Sequence, residues 1–152
     1  MKSTRLLIAA LTLATLAATS DAQSPNTDTT VINSNKVAAA FARGMPLLEN
    51  SEFKVHASRR DAPGVAEIHT RDTDIIHVLE GSATFVTGGM MVEPKTIAPD
   101  EIRGKEIKGG ENWRIAKGDV IVVPSGVPHW FKHVDGTLLY YVVKVTSRSK
   151  AK

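Results

Sequence analysis

Glu67, His69, Asp74 and His129 are the residues whose types and spacing could do chemistry together. In the run Val65-Ala66-Glu67-Ile68-His69 a carboxylate and an imidazole are two residues apart, so on a strand both point to one face. Asp74 follows a short turn at residues 70–73, and His129 arrives from far along the chain, closing the segment GDVIVVPSGVPH at residues 118–129. Nitrogen and oxygen donors without sulfur suit one divalent ion, Zn²⁺, Mn²⁺, Fe²⁺, Ni²⁺ or Co²⁺, with geometry choosing among them. A plainer reading is also open, with Glu67 and His69 an exposed pair on a half-solvated strand and His129 a turn histidine. His133 lies four beyond His129, on the same side by strand parity, and is placed as a rim or proton-transfer residue. His77 has the opposite parity to Asp74 and should face away. Arg59 and Arg60 precede the Glu67 strand, either to hold an anionic substrate or as a solvated pair. The chain has no cysteine, Gly-rich phosphate loop or serine nucleophile elbow.

The elements that must position these groups are short strands. Val120–Val123 is four β-branched residues in a row, favouring a pleated strand. Pro124, Gly126 and Pro128 then force a tight corner, and His129, Trp130 and Phe131 open the next strand. Similar β-rich runs recur at residues 53–58, 65–69, 74–79, 83–87, 113–116, 130–133 and 138–145, a spacing that predicts an all-β sandwich or small barrel. Ser34 is placed as the cap of a short helix through Arg43, with Val37, Ala40 and Phe41 on one side and Gly44 as the stop. Residues 90–111 carry two prolines and many charges and read as a long excursion, either a lid or interface arm or a solvated hairpin. Trp113, Trp130, Phe131 and Tyr140 are taken as core or subunit-contact residues.

At this point the chain resembles a known family. Gly118-x5-Pro124-x-Gly126-x2-His129 is a full match to the second motif of the cupins, and Glu67-x-His69-x4-Asp74-x6-Gly81 looks like a divergent form of the first. The resemblance, to a small single-domain bacterial cupin, covers roughly residues 56–145. It implies a double-stranded β-helix, the cupin jelly-roll barrel, behind a short N-terminal helix. It also implies Glu67, His69, Asp74 and His129 as ligands of one divalent metal (Fe, Mn, Zn or Ni). Glu67 stands where many cupins have a first histidine, and Asp74 where they have a glutamate. Being one methylene shorter, Asp74 becomes either a fourth ligand or an orienter of the others. Two carboxylates would make the centre neutral, where three histidines and one carboxylate leave +1, so it should attract anions less and favour harder metals. With Asp74 outside, Glu67, His69 and His129 form a 2-His-1-carboxylate facial triad, the arrangement used for Fe²⁺ and O₂ chemistry.

Residues 1–22 read as a cleaved signal peptide: Lys2 and Arg5 precede an apolar stretch too short to span a bilayer comfortably, and Ser20-Asp21-Ala22 offers a cleavage site. Residues 23–33 follow as a flexible leader, 34–50 as a short helical arm and 51–148 as the barrel domain. A periplasmic or secreted location is expected, with no membrane association after cleavage. Losing Lys2, Arg5 and Asp21 takes the formal charge from +3 to +2, too little for nucleic-acid binding. With no disulfide available, stability must come from packing, a bound metal or a partner subunit, and a homodimer is expected. The function expected is an exported metal-binding cupin, in which a metal-dependent enzyme acts on a small molecule, with oxygenase chemistry ahead of isomerase or lyase chemistry. The alternatives are a non-catalytic small-ligand or metal-binding protein and a structural cupin with an empty site.

Overall fold

The structure, a computed structural model, describes residues 28–147, so the expected signal peptide and the first part of the leader lie outside the described residues. Helix α1 spans Ser34–Arg43, and its cap is Asn33, one residue earlier than expected, whose side chain accepts from the Lys36 N–H at 3.0 Å. It docks through buried Ala40 and through Phe41, which meets Tyr141 edge-on at 4.9 Å. The expected helical arm to residue 50 is shorter. Helix α1 stops at Gly44, Pro46 disfavours helix for Met45, and Met45–Glu49 forms strand β1 instead. Among the described residues no helix is long and apolar enough to cross a membrane.

Strand β1 pairs antiparallel with β2 (Phe53–Arg60), which pairs with the last and longest strand, β11 (His129–Thr146). Between them come β3 (Ala66–His69) and β4 (Asp72–Thr87). Residues 74–79 and 83–87 are thus one strand, as are 130–133 and 138–145. Residues 90–111, expected as a long excursion, are built of short antiparallel strands. They form β5 (Met90–Val92), β6 (Lys95–Ala98), β7 (Glu101–Gly104) and β8 (Glu106–Lys108). Strand β7 adds to β3 and β6 to β7, while β5 and β8 make a separate two-stranded ribbon. Finally β9 (Glu111–Ala116) and β10 (Val120–Val123) pair with opposite ends of β4. The result is the expected all-β, curled antiparallel architecture with one short helix.

The core lies between the inward faces of β4 and β11. Ile76, Val78 and Phe85 from β4 pack with Phe131, Leu138, Tyr140 and Val142 from β11. Burying each apolar side chain contributes about 1.5–3 kcal/mol. The inward row of β4 begins with two carboxylates, Asp72 and Asp74, before the apolar residues start. Asp72 accepts from Lys54 at 2.6 Å and Thr146 at 2.7 Å. Burial pushes its carboxyl up, but those two hydrogen bonds and the charges of Lys54 and Lys144 outweigh it and hold the group below the ordinary carboxylate range.

Both long strands turn a corner midway. Gly81 has φ +80°, and a Cβ there would lie 2.1 Å from the Thr137 carbonyl oxygen, so β4 can bend only where no side chain exists. Gly81→Ala is expected to lower stability by about 1–3 kcal/mol from backbone strain alone, with the clash adding to it, read as a lower urea midpoint. Because the folded Asp72 carboxyl titrates below its unfolded value of about 3.9, its contribution is present above that pH and is lost as pH falls through the folded value. The urea midpoint of wild type should therefore fall faster below about pH 4 than that of Asp72→Asn, and parallel curves would refute the assignment.

Candidate metal centre

Two neighbouring strands, β3 and β11, bring the three donors together, with Asp74 beside them on β4. In the antiparallel register Glu67 of β3 faces His129 of β11 on one side and Arg103 of β7 on the other, while His69 faces Glu101. Glu67 and His69 share the inner face of β3, and the turn before β11 delivers His129 beside them. That turn is tied directly to the first pair, because the Gly126 N–H donates to the His69 carbonyl at 2.8 Å. One ligand atom each from Glu67, His69 and His129 lies within 4.8 Å of the others, and the two imidazole centroids are 5.1 Å apart. This is the separation a single ion could bridge with modest side-chain movement.

His129 is buried, with 4% exposure. Its Nδ1 donates to the Val127 carbonyl at 3.1 Å, which leaves the Nε2 lone pair directed at the cluster. Burial pushes its imidazole down, against the pull of that hydrogen bond and of Asp74, so the ring is neutral and able to donate electrons near neutral pH.

Asp74 stands beside the trio rather than within it. Its Oδ2 is 3.2 Å from His69 Nδ1 and 3.8 Å from His129 Nε2, and its nearest partner is Lys144, whose Nζ donates to it at 2.7 Å. The same ammonium lies 3.1 and 3.2 Å from the two ring nitrogens of His69. Burial pushes the Asp74 carboxyl up, yet the His69 hydrogen bond and the Lys144 charge prevail and hold it below the ordinary range. Its other oxygen, Oδ1, is buried without a hydrogen-bond partner among the described residues.

The remaining candidates separate cleanly. Arg60 lines the same cavity of about 280 Å³, whereas Arg59 points outward and pairs with Asp61 at 2.8 Å. His77 is exposed on the outer face, as parity requires. His133 is also on the outside, 62% exposed and 3.2 Å from Asp135. Simple parity fails for it because β11 carries a bulge between Phe131 and His133, and one extra residue inverts inside and outside. Tyr140, taken as core, has its hydroxyl in the cavity, and Glu101 and Arg103 reach the cavity from β7 in the supposed excursion. Lys144 went unread although a signal existed. Leu138, Tyr140 and Val142 alternate inward on β11, and the next residue of that parity is Lys144.

With this geometry in place, comparison with known proteins gives a consistent picture. A family model described as "Cupin" matches residues 20–152. Among solved structures, a Bacillus halodurans protein is similar at 14% identity with TM-score 0.55, covering 82% of this chain and 86% of its own. A Neisseria meningitidis protein is similar at 15% identity with TM-score 0.52, covering 77% of this chain and 100% of its own. An uncharacterized conserved protein with a double-stranded β-helix domain from Klebsiella pneumoniae is similar at 14% identity with TM-score 0.52, covering 80% of this chain and 93% of its own. These likenesses show the fold. No curated protein matches.

Lys144 and Asp74 form a pair with side chains only 14% and 5% exposed. Removing the ammonium alone strands a carboxylate, so Lys144→Met should cost the metal-free protein about 3 kcal/mol, and adding Asp74→Asn should recover most of it. Urea unfolding of the two single variants and the double variant checks this, and additive losses would refute the coupling.

Proposed function

The chain belongs to the cupin family, and from that premise we propose an exported metal-binding cupin that holds one divalent ion through Glu67, His69 and His129 and acts on a small molecule. The observation that carries this reading is the convergence of those three donors within 4.8 Å, His129 buried and Glu67 and His69 half-buried. The donor set fits such an ion. It is two nitrogens and one oxygen with no sulfur, the His129 lone pair is already directed inward, and Asp74 stands beside the donors with its Oδ2 3.2 Å from His69 and 3.8 Å from His129. Fe²⁺, Mn²⁺, Zn²⁺ and Ni²⁺ are all compatible with these donors. An ion there, when bound, supplies open coordination positions that polarise or activate a small molecule, and the facial arrangement favours oxygenase chemistry over isomerase or lyase chemistry.

The protein's own residues do the rest. Val127 fixes the tautomer of His129, while Asp74 approaches His69 at its Nδ1 and Lys144 lies against both of its ring nitrogens. Phe85, Phe131 and Val142 put apolar core on the inner side of the donors, which strengthens the charge interactions of buried His129 and Asp74 most. The positive n-region and apolar stretch of residues 1–22 support export to the periplasm or beyond.

A second reading has its own support. Lys144 places a cation beside His69 and Asp74, so the cluster already has internal charge compensation and could serve as a non-catalytic small-ligand site. Elemental analysis separates the two. The purified protein should hold about one metal per chain, and His69→Ala, His129→Ala and Glu67→Ala should each lose most of it, because a three-donor site tolerates no missing ligand. Equal metal in wild type and the His69→Ala/His129→Ala double variant would remove the metal reading. O₂ uptake over phenols, diketones and hydroxy acids then separates enzyme from binder.

A further inference from the structure

The cavity contains three cations, and two are already matched. Lys144 pairs with Asp74 at 2.7 Å, and Arg103 pairs with Glu101 at 2.7 Å and approaches Glu67 at 3.8 Å. Arg60 differs. Among the described residues it has no carboxylate partner, although its side chain is held in place on several sides. Its Nε donates to the Tyr140 hydroxyl at 3.0 Å, and its guanidinium carbon lies 4.6 Å from the centroid of the Phe131 ring. Burial pushes the Tyr140 phenol up, so it stays protonated and serves as a neutral acceptor. Gly64 makes room for the guanidinium, since a Cβ there would come within 2.6 Å of Arg60 Nη1. The two terminal nitrogens of a planar fork are thus positioned with no protein anion to receive them.

We propose that Arg60, positioned by Tyr140 and Phe131, binds the carboxylate of a small monocarboxylic acid whose other end reaches the Glu67, His69 and His129 cluster. The proposal rests on the reading of this cavity as the small-molecule site and names the class of molecule. A guanidinium fork matches a carboxylate with two parallel hydrogen bonds, which a lysine could not do. Glu67, Asp74 and Glu101 line the cavity with the three cations, but Arg60 is the cation without a direct carboxylate contact among the described residues, and its single charge favours a monoanion over a phosphate dianion. Reach is consistent too. Phe131 and His129 are neighbours on one face of β11, and one two-residue strand repeat is about 7 Å, the span of a three- or four-carbon acid. Size sets an upper limit, because about 280 Å³ is the room of only about nine waters at their liquid volume.

The test is calorimetric titration of lactate into the mature protein, once metal-stripped and once loaded with Mn²⁺, with lactamide and inorganic phosphate as comparison probes and metal content measured on every sample. Lactate should bind at least about tenfold more tightly than lactamide, the usual worth of a charge-assisted pair. Arg60→Met should erase that preference, Arg60→Lys should lose most of it while retaining the charge, and Arg59→Met should behave as wild type. All should keep wild-type metal content. Equal binding of lactate and lactamide, an Arg60→Lys protein that binds lactate like wild type, or a preference for phosphate would each overturn the carboxylate assignment. Loss of metal from wild type with lactate discrimination intact would overturn the metal reading instead and leave this one standing.

Discussion

The hydrogen-bonded ladder between β4 and β11 is the constraint on which the rest depends. It runs from Asp72 opposite Thr146 to Thr87 opposite His129, and within it Asp74 faces Lys144, Val78 faces Tyr140 and Phe85 faces Phe131. Because both strands bend midway, where Gly81 meets Thr137, the inner faces of the two halves are brought round the same barrel. One end of the ladder then supplies the Asp74 and Lys144 pair and the other supplies His129, with the apolar core between them. A one-residue slip would send every one of these side chains to the opposite face. The bulge after Phe131 builds in one such slip, and it keeps Phe131 and Val134 both buried while sending His133 outward, with further register shifts following at the corner between Asp135 and Tyr140.

Electrostatics inside the barrel depend on the same register. Two carboxylates near a divalent ion would leave a neutral centre, and that is the count Glu67 and Asp74 suggest by themselves. Lys144 adds one positive charge in contact with Asp74 and returns the local count to +1, the value left by three imidazoles and one carboxylate. With an ion bound, the chain would therefore reach the charge of three histidines and one carboxylate with a different set of residues, a carboxylate in place of a histidine and an ammonium to offset it. Arg103, held between Glu101 and Glu67, extends the same alternation of sign onto β7.

Much of the fold could be read from the residues because its signals are local. The run Val120–Val123, the Pro and Gly corner after it and the spacing to His129 belong to backbone conformations that few other residues adopt. The alternation that placed Glu67 with His69 and turned His77 outward is equally local. The parts that escaped depend on pairing across long distances. Residues 90–111 have weak strand propensity and become strands through partners, β7 through β3 and β5 through β8. His133 was misplaced because a bulge is a property of two strands together. Arg59 and Arg60, indistinguishable as neighbours in the chain, part ways because adjacent residues on a strand face opposite sides of the sheet.

The hydrogen bond from the Gly126 N–H to the His69 carbonyl has a temporal consequence. It joins positions far apart in the chain, and although β7 already pairs with the end of β3 and the turn carries its own Val127 to Pro124 bond, the two segments meet only once β3, β10 and β11 have docked. Long-range closures of this kind come late in the assembly of β proteins. An ion or acid meeting the chain before that moment finds scattered side chains rather than a site, so ligand capture belongs to the finished barrel and cannot template it from the outset.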